Sequence, residues 1–279
     1  MRAVLPWSPT SFQRFEQFLA TNTQTCRVVT DAGKAYAKCL GNKSGPHSLA
    51  CEWVGTRLAA WLGLPTFDCA IMEIHPDDEV PIAAGRLASP GPAFVARSER
   101  GNPWGGESTE LVRLANRADI PTLVVFDTWT LNCDRFPPNP AERRPNFDNV
   151  FISHERESGL TLIAMDHTHC FTCGNDLTDR ADRIELVRDP RVYGLFPSFV
   201  PFMRRDRVQL AAERLKAISV PIVRDIVSEI PDAWQVEPRA RTALVNLVVD
   251  RAAYVAEHIV ASLRPACWPS DEDEDHVHE

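Results

Sequence analysis

The spacing of apolar positions changes along the chain, and each change predicts an element. Residues 7–20 (WSPTSFQRFEQFLA) predict a short amphipathic helix opened by Ser8-Pro9 or Ser11. The polar loop TNTQT at 21–25 leads into RVVTDAGKAYAKCL, which predicts a hairpin: strand 26–30, turn Asp31-Ala32-Gly33, strand 34–40. GNKSGPHSLACEWVGTRLAAWLGLP is a well-punctuated helix. Ser44-Gly45-Pro46 starts it, Gly63 stands just past its end with Pro65 beyond, and Val54, Leu58, Trp61 and Leu62 form its buried stripe. Residues 67–75 and 93–98 predict further strands, and RGNPWGGES at 100–108 predicts a boundary or hinge. Beyond it the pattern is mainly helical: STELVRLAN, IPTLVVFDTWTLN with Pro121 near its start, a segment around 182–188, and helices near 204–218, 220–229 and 238–263.

One hairpin interrupts the helical half. Val150 to Ser153 and Leu160 to Met165 are short apolar runs separated by HERESG, a polar stretch with one glycine. An antiparallel hairpin brings its first and last residues to one end, so Asn149 and Asp166 are expected to be neighbours. Asp134 lies upstream in a Pro-rich loop that could return to the same place. An amide oxygen and a carboxylate at a hairpin mouth are hard ligands suited to Mg²⁺, and a second carboxylate beside them could orient a hydroxyl for phosphoryl transfer. The plainer alternative is that Asn and Asp cap the ends of a hairpin, a common use of both residues.

Composition adds a cation to this picture. Lysine occurs only at 34, 38, 43 and 216, while arginine supplies the other 26 of 30 basic residues. Lys38, inside AYAKCL, could therefore hold an anion as a compact point charge, although an edge-strand lysine that discourages aggregation is the simpler alternative. Glu52 falls in the first half of the following helix, either as a solvated glutamate or as the ion-pair partner that positions Lys38. The hydroxyls of loop 21–25 could lie over phosphates, or the loop could be plain surface.

The 279 residues, 44% hydrophobic and 24% charged, suit one domain of two lobes or two modest domains. No apolar run approaches the roughly 20 residues of a membrane span, and the start lacks a signal-peptide pattern. The eight scattered cysteines are expected to be buried free thiols, which with the rest implies a cytoplasmic protein. Of the net charge of −8, six charges sit in the tail SDEDEDHVHE, expected to be disordered; the remainder, at −2, gives no support for nonspecific nucleic-acid binding.

YAK, GNKSGPHSLACEWVGTRLAAWLGLP, FDTWTLNCDRFPPN, DNVFI and AMDHTHCF follow one another in an order that resembles the HipA-like kinases, bacterial relatives of the protein-kinase and phosphatidylinositol-kinase fold. The similarity covers most of residues 34–171. It implies an α+β, two-lobed kinase-like fold: a mainly β N-lobe over 1–100, a helical C-lobe over 101–264 and an acidic tail over 265–279. It implies an ATP- and Mg²⁺-dependent phosphotransferase acting on a Ser or Thr hydroxyl. By position Lys38 resembles the lysine on the α- and β-phosphates, Glu52 its helix partner, Asp134 the catalytic base and Asp166 the metal aspartate. Thr23 and Thr25 would lie over the phosphates, since no Gly-rich loop is evident.

Asn139 and Asn149 compete for the remaining metal position. Asn139 has the usual five-residue interval from Asp134, whereas Asn149 directly precedes the strand whose partner ends at Asp166, and topology favours Asn149. No APE-like motif closes an activation segment. Two other readings compete with an active kinase: a pseudokinase that binds ATP or a partner, and a zinc protein using His167, His169, Cys170 and Cys173. The acceptor stays open among a protein, the chain's own Thr21, Thr23 and Thr25, a lipid and a small metabolite, as does an antitoxin-like partner.

Overall fold

In the computed structural model the described residues are 7–19, 21, 23–263 and 267–268. The acidic tail, apart from Cys267 and Trp268, lies outside them. The chain begins with strands β1 (Phe12–Phe18), β2 (Cys26–Thr30) and β3 (Gly33–Lys38), followed by helix α1 (His47–Leu62). Strands β4 (Cys69–Ile74), β5 (Pro81–Ala83), β6 (Arg86–Leu87) and β7 (Gly91–Arg97) come next. One antiparallel sheet has the order β1-β2-β3-β7-β4, while β5 and β6 pair separately.

The first element is a correction. Residues 12–18 form a strand rather than a helix, and the reason is local. Phe12, Phe15 and Phe18 recur every three residues, which imitates a helical stripe. The pairing of β1 with β2 shifts register between Phe12 and Arg14 and again between Phe15 and Gln17. Each irregularity inserts an extra residue, so a three-residue period can serve one face of a strand. Phe12 and Phe15 thereby pack on the same small core.

That small core fills one face of the sheet, with Val28, Ala35, Ala37, Met72, Ala93 and Val95. On the other face Phe94 and Ala96 join a larger core that runs through α1 to the C-terminal helices. Helix α1 is enclosed on nearly all sides, 12 of its 16 residues being buried, which explains its weak amphipathic pattern. It begins directly after Pro46, and Gly63 ends it in the left-handed conformation with φ 92°, its N–H turned back to the Ala59 and Ala60 carbonyls.

The stretch expected to be a boundary or hinge contains strand β8 (Gly101–Pro103). It pairs antiparallel with β9 (Val150–Ser153), which pairs in turn with β10 (Thr161–Ala164). A Cβ on Gly101 would lie 2.2 Å from the Ile152 carbonyl oxygen, so only glycine admits this approach. The helices are α2 (Ser108–Val112), α3 (Ile120–Thr130), α4 (Ile184–Val187), α5 (Arg205–Leu215), α6 (Val220–Ser228) and α7 (Pro238–Ser262). A five-stranded sheet in the N-terminal part and a helical C-terminal part match a kinase-like arrangement of two lobes.

The cysteine expectation is also corrected: Cys133 and Cys173 form a disulfide, while Cys26, Cys39, Cys51, Cys69, Cys170 and Cys267 are free. No described helix is long and apolar enough to cross a membrane.

Candidate active site

Alternation along β3 turns Ala35 and Ala37 into the small core and Lys38 to the face that carries α1. Lys38 Nζ donates to Glu52 Oε2 at 2.8 Å and to Asp166 Oδ1 at 3.0 Å. Glu52 Oε2 also accepts the His167 backbone N–H at 2.9 Å, so the glutamate ties β3 to the turn after β10. Close approach of α1 makes this contact. A Cβ on Gly55 would fall 2.4 Å from the His167 Cβ, and the Thr56 hydroxyl meets His167 Nδ1 at 3.1 Å.

One ammonium thus faces two carboxylates in a nearly dry setting, the Lys38 and Glu52 side chains being 9% and 5% exposed. Burial alone would lower the lysine pKa, but Asp166 and Glu52 outweigh it and hold Lys38 above the ordinary lysine range. Burial pushes the Glu52 carboxyl up, and Lys38 offsets this only in part. Burial also opposes ionisation of Asp166, but Lys38 and the Thr168 hydroxyl hold that carboxyl far below the usual range. Asp166 sits in the left-handed region at φ 56°, a conformation Asp tolerates better than most residues.

Asp134 lies beside this triad. Its Oδ2 accepts from Asn149 Nδ2 at 2.9 Å and from Asn146 Nδ2 at 3.3 Å, and its Oδ1 accepts from Arg143 Nη2 at 2.6 Å. His169 Nδ1 approaches Oδ2 at 3.6 Å. Burial raises the Asp134 pKa, but His169, Asn149 and Arg143 together bring it below the usual carboxylate range. Burial pushes the His169 imidazole below its ordinary range, and Asp134 offsets this only in part.

A buried arginine that no local pattern singles out builds the hairpin mouth. The side chain of Arg135 is 0% exposed. It donates to the Asn149 carbonyl at 3.1 Å and to the Met165 carbonyl at 2.8 Å, clamping the start of β9 to the end of β10. Its remaining charge meets Asp127 on α3, whose carboxyl burial pushes up to about 6 despite Arg135 and Asn132. Asn146 was missed as well, since only folding returns it to Asp134.

Asp134, Asn149 and Asp166 line one cavity of about 410 Å³ with Thr21, Thr23 and His169. Leu19, Thr21 and Thr23, from the connection between β1 and β2, lie along its lining. Thr25 does not reach this space: it is 4% exposed, and its hydroxyl meets that of Thr23 at 3.0 Å behind the lining. Asn139 is elsewhere too. It is exposed, its amide donates to Glu142 Oε1 at 2.7 Å, and its side-chain oxygen caps the Ala141 N–H at 3.2 Å, as a turn asparagine does.

The zinc set is not assembled. Cys173 is bonded to Cys133, Cys170 Sγ meets the Thr130 hydroxyl at 3.5 Å, His167 is buried against Thr56 and His169 turns to Asp134. Among the described residues no group of three or more His, Cys, Asp and Glu could hold a metal. Asp166 with an asparagine is a smaller oxygen set, and it fits Mg²⁺, which keeps several waters of its own. Asp166 spends only Oδ1 on Lys38 and Thr168.

A family model described as HipA-like kinase matches residues 13–262. The chain belongs to the HipA-like kinase family. Among solved structures, this family member is similar to the crystal structure of a Helicobacter pylori proinflammatory kinase, CtkA, with 11% identity and a TM-score of 0.58. The likeness covers 91% of this chain and 95% of that one, and at such identity it speaks to the fold alone. No curated protein sequence matches this HipA-like kinase.

Proposed function

We propose that the chain is an ATP- and Mg²⁺-dependent phosphotransferase whose acceptor is a Ser or Thr hydroxyl on a protein, its own chain included. What carries this reading is one juxtaposition: Lys38 is paired to both Glu52 and Asp166, and Asp166 lines one cavity together with Asp134 and Asn149. In it Lys38 holds the α- and β-phosphates of ATP, with Glu52 fixing its position. Thr23, which lines the cavity, lies over the phosphates. Asp166 and Asn149 hold the metal ion, which when bound neutralises phosphate charge. Asp134 accepts the proton of the acceptor hydroxyl as its oxygen bonds to the γ-phosphorus and the bond from that phosphorus to the β–γ bridging oxygen breaks, releasing ADP. Positioning and charge neutralisation supply most of the rate in such chemistry, which suits a site with no nucleophile of its own.

The test is transfer from γ-labelled ATP into lysate protein and into the chain, with and without Mg²⁺, in the parent and in Asp134→Asn. Transfer is expected to need Mg²⁺ and to vanish in Asp134→Asn while Mg·ATP binding, read by calorimetry, persists. Binding without any transfer by the parent would make the chain a pseudokinase, and undiminished transfer by Asp134→Asn would remove Asp134 as the base.

A further inference from the structure

A second cavity of about 530 Å³ adjoins the Asp134 loop. Residues 131–143 form one wall and the 171–193 segment the other, and the lining includes Arg143, Arg180, Arg183 and Arg191 against only two carboxylates, Glu142 and Asp176. The pairings sort these charges. Arg191 is committed to Asp189, with Nη2 at 2.6 Å from Oδ2. Glu142 is bound by Asn139 at 2.7 Å, and Asp176 stands 3.5 Å from His47. Arg180 and Arg183 are exposed and form no ion pair or side-chain hydrogen bond among the described residues.

Arg143 belongs to both cavities' affairs. It lines this second space, its Nη1 touches the Cys133 and Cys173 sulfurs at 3.3 and 3.6 Å, and its Nη2 holds Asp134 Oδ1. Guanidinium forks match carboxylate and phosphate oxygens, and two uncommitted ones beside a third make a space that selects anions. Much of its lining is exposed loop: Cys173, Asn175, Thr178, Arg180 and Arg183. That suits a chain segment laid across an opening more than an enclosed small molecule.

We propose that this cavity is the acceptor site, and that it takes an acidic polypeptide segment whose carboxylates are held by Arg180 and Arg183 and compete with Asp134 for Arg143. The assignment of the cavity as acceptor site rests on the phosphotransfer reading above; the anionic selectivity does not. In the free chain both Asp134 oxygens are engaged, Oδ1 by Arg143 and Oδ2 by Asn149 and Asn146. An acceptor carboxylate that draws Arg143 away leaves Oδ1 to take the hydroxyl proton. The site would then be completed by an acceptor carrying the right charge. The bonds made and broken are those already stated: oxygen to γ-phosphorus forms, γ-phosphorus to the bridging oxygen breaks, and the proton passes to Asp134.

Two measurements on the full chain test this. The first is fluorescence anisotropy of three labelled peptide sets, each with one serine flanked by Asp/Glu, by Asn/Gln or by Lys/Arg. The acidic set is expected to bind saturably and more weakly at high salt. Arg180→Ala/Arg183→Ala is expected to weaken it by at least about tenfold, the scale of losing charge-assisted hydrogen bonds. The second is phosphate transfer into the same sets. The acidic set is expected to lead, and the double variant to raise its KM with kcat and Mg·ATP binding little changed. Equal binding of acidic and neutral sets, or a preference kept by the double variant, overturns the proposal, including the case in which a small metabolite is the acceptor and no peptide binds. Acidic-peptide binding that is lost in the double variant, from a chain that neither binds nor uses Mg·ATP, would sink the kinase reading and leave the anion-selective site standing.

Discussion

On the cleft side of Asp134 the charges are paired and enclosed: Lys38 with Glu52 and Asp166, and Arg135 with Asp127 and two hairpin carbonyls. Around the second cavity Arg180 and Arg183 stand exposed with no ion-pair partner among the described residues. Buried pairs keep a geometry that salt barely screens, at the cost of desolvation, whereas exposed charges are cheap, mobile and screened within about 10 Å at 0.1 M salt. The first arrangement suits fixed parts of a reaction, and the second suits telling one acceptor from another. Arg143 joins the two, since it lines the outer cavity and holds the base.

The comparison can be broken from the cleft side. Lys38→Ala is expected to lower ATP turnover by at least about 100-fold, as loss of a fixed electrostatic partner does, and Lys38→Arg should not restore it because a planar fork cannot replace a compact ammonium. Turnover within a few-fold of the parent would mean that Lys38 does not hold phosphate. A smaller effect, on stability, is expected from Arg135→Met. Removing one partner of a buried pair leaves the other charge unmatched, and the chain should lose about 3–5 kcal/mol in denaturant unfolding. A loss below about 1 kcal/mol would show that the hairpin mouth holds without its clamp. The sharpest local contrast is between the two asparagines. Asn149→Ala should weaken Mg²⁺-dependent turnover by about 10–100-fold, while Asn139→Ala, removing a turn contact in the outer cavity, should change it less than about twofold. The reverse order would place the metal with the loop spacing instead of with the hairpin.

Much was legible locally. The hairpin from Val150, the helix between Pro46 and Gly63, and the C-terminal helices all announced themselves by period and punctuation, because those signals span only a few neighbours. The ordered motifs carried the family, and the single lysine of AYAKCL ahead of Glu52 carried the ion pair. β1 is misread because its bulges disguise a strand as a helical repeat, and the strand β8 is hidden because a glycine admitted by close backbone approach looks like a loop glycine.

What only the tertiary structure decided involves partners far apart in the chain. Arg135 reads as one arginine among many until Asn149, Met165 and Asp127 close around it. Cys133 and Cys173, separated by 40 residues, read as two scattered thiols. Two asparagines of the same loop part company because the chain returns one to Asp134 and leaves the other at a turn. Residue types and periods are written along the chain and set the elements and the chemistry on offer. Which oxygen meets which cation depends on a return path through space, and hydrogen bonds fall away within a fraction of an ångström, so no count of residues can replace that path.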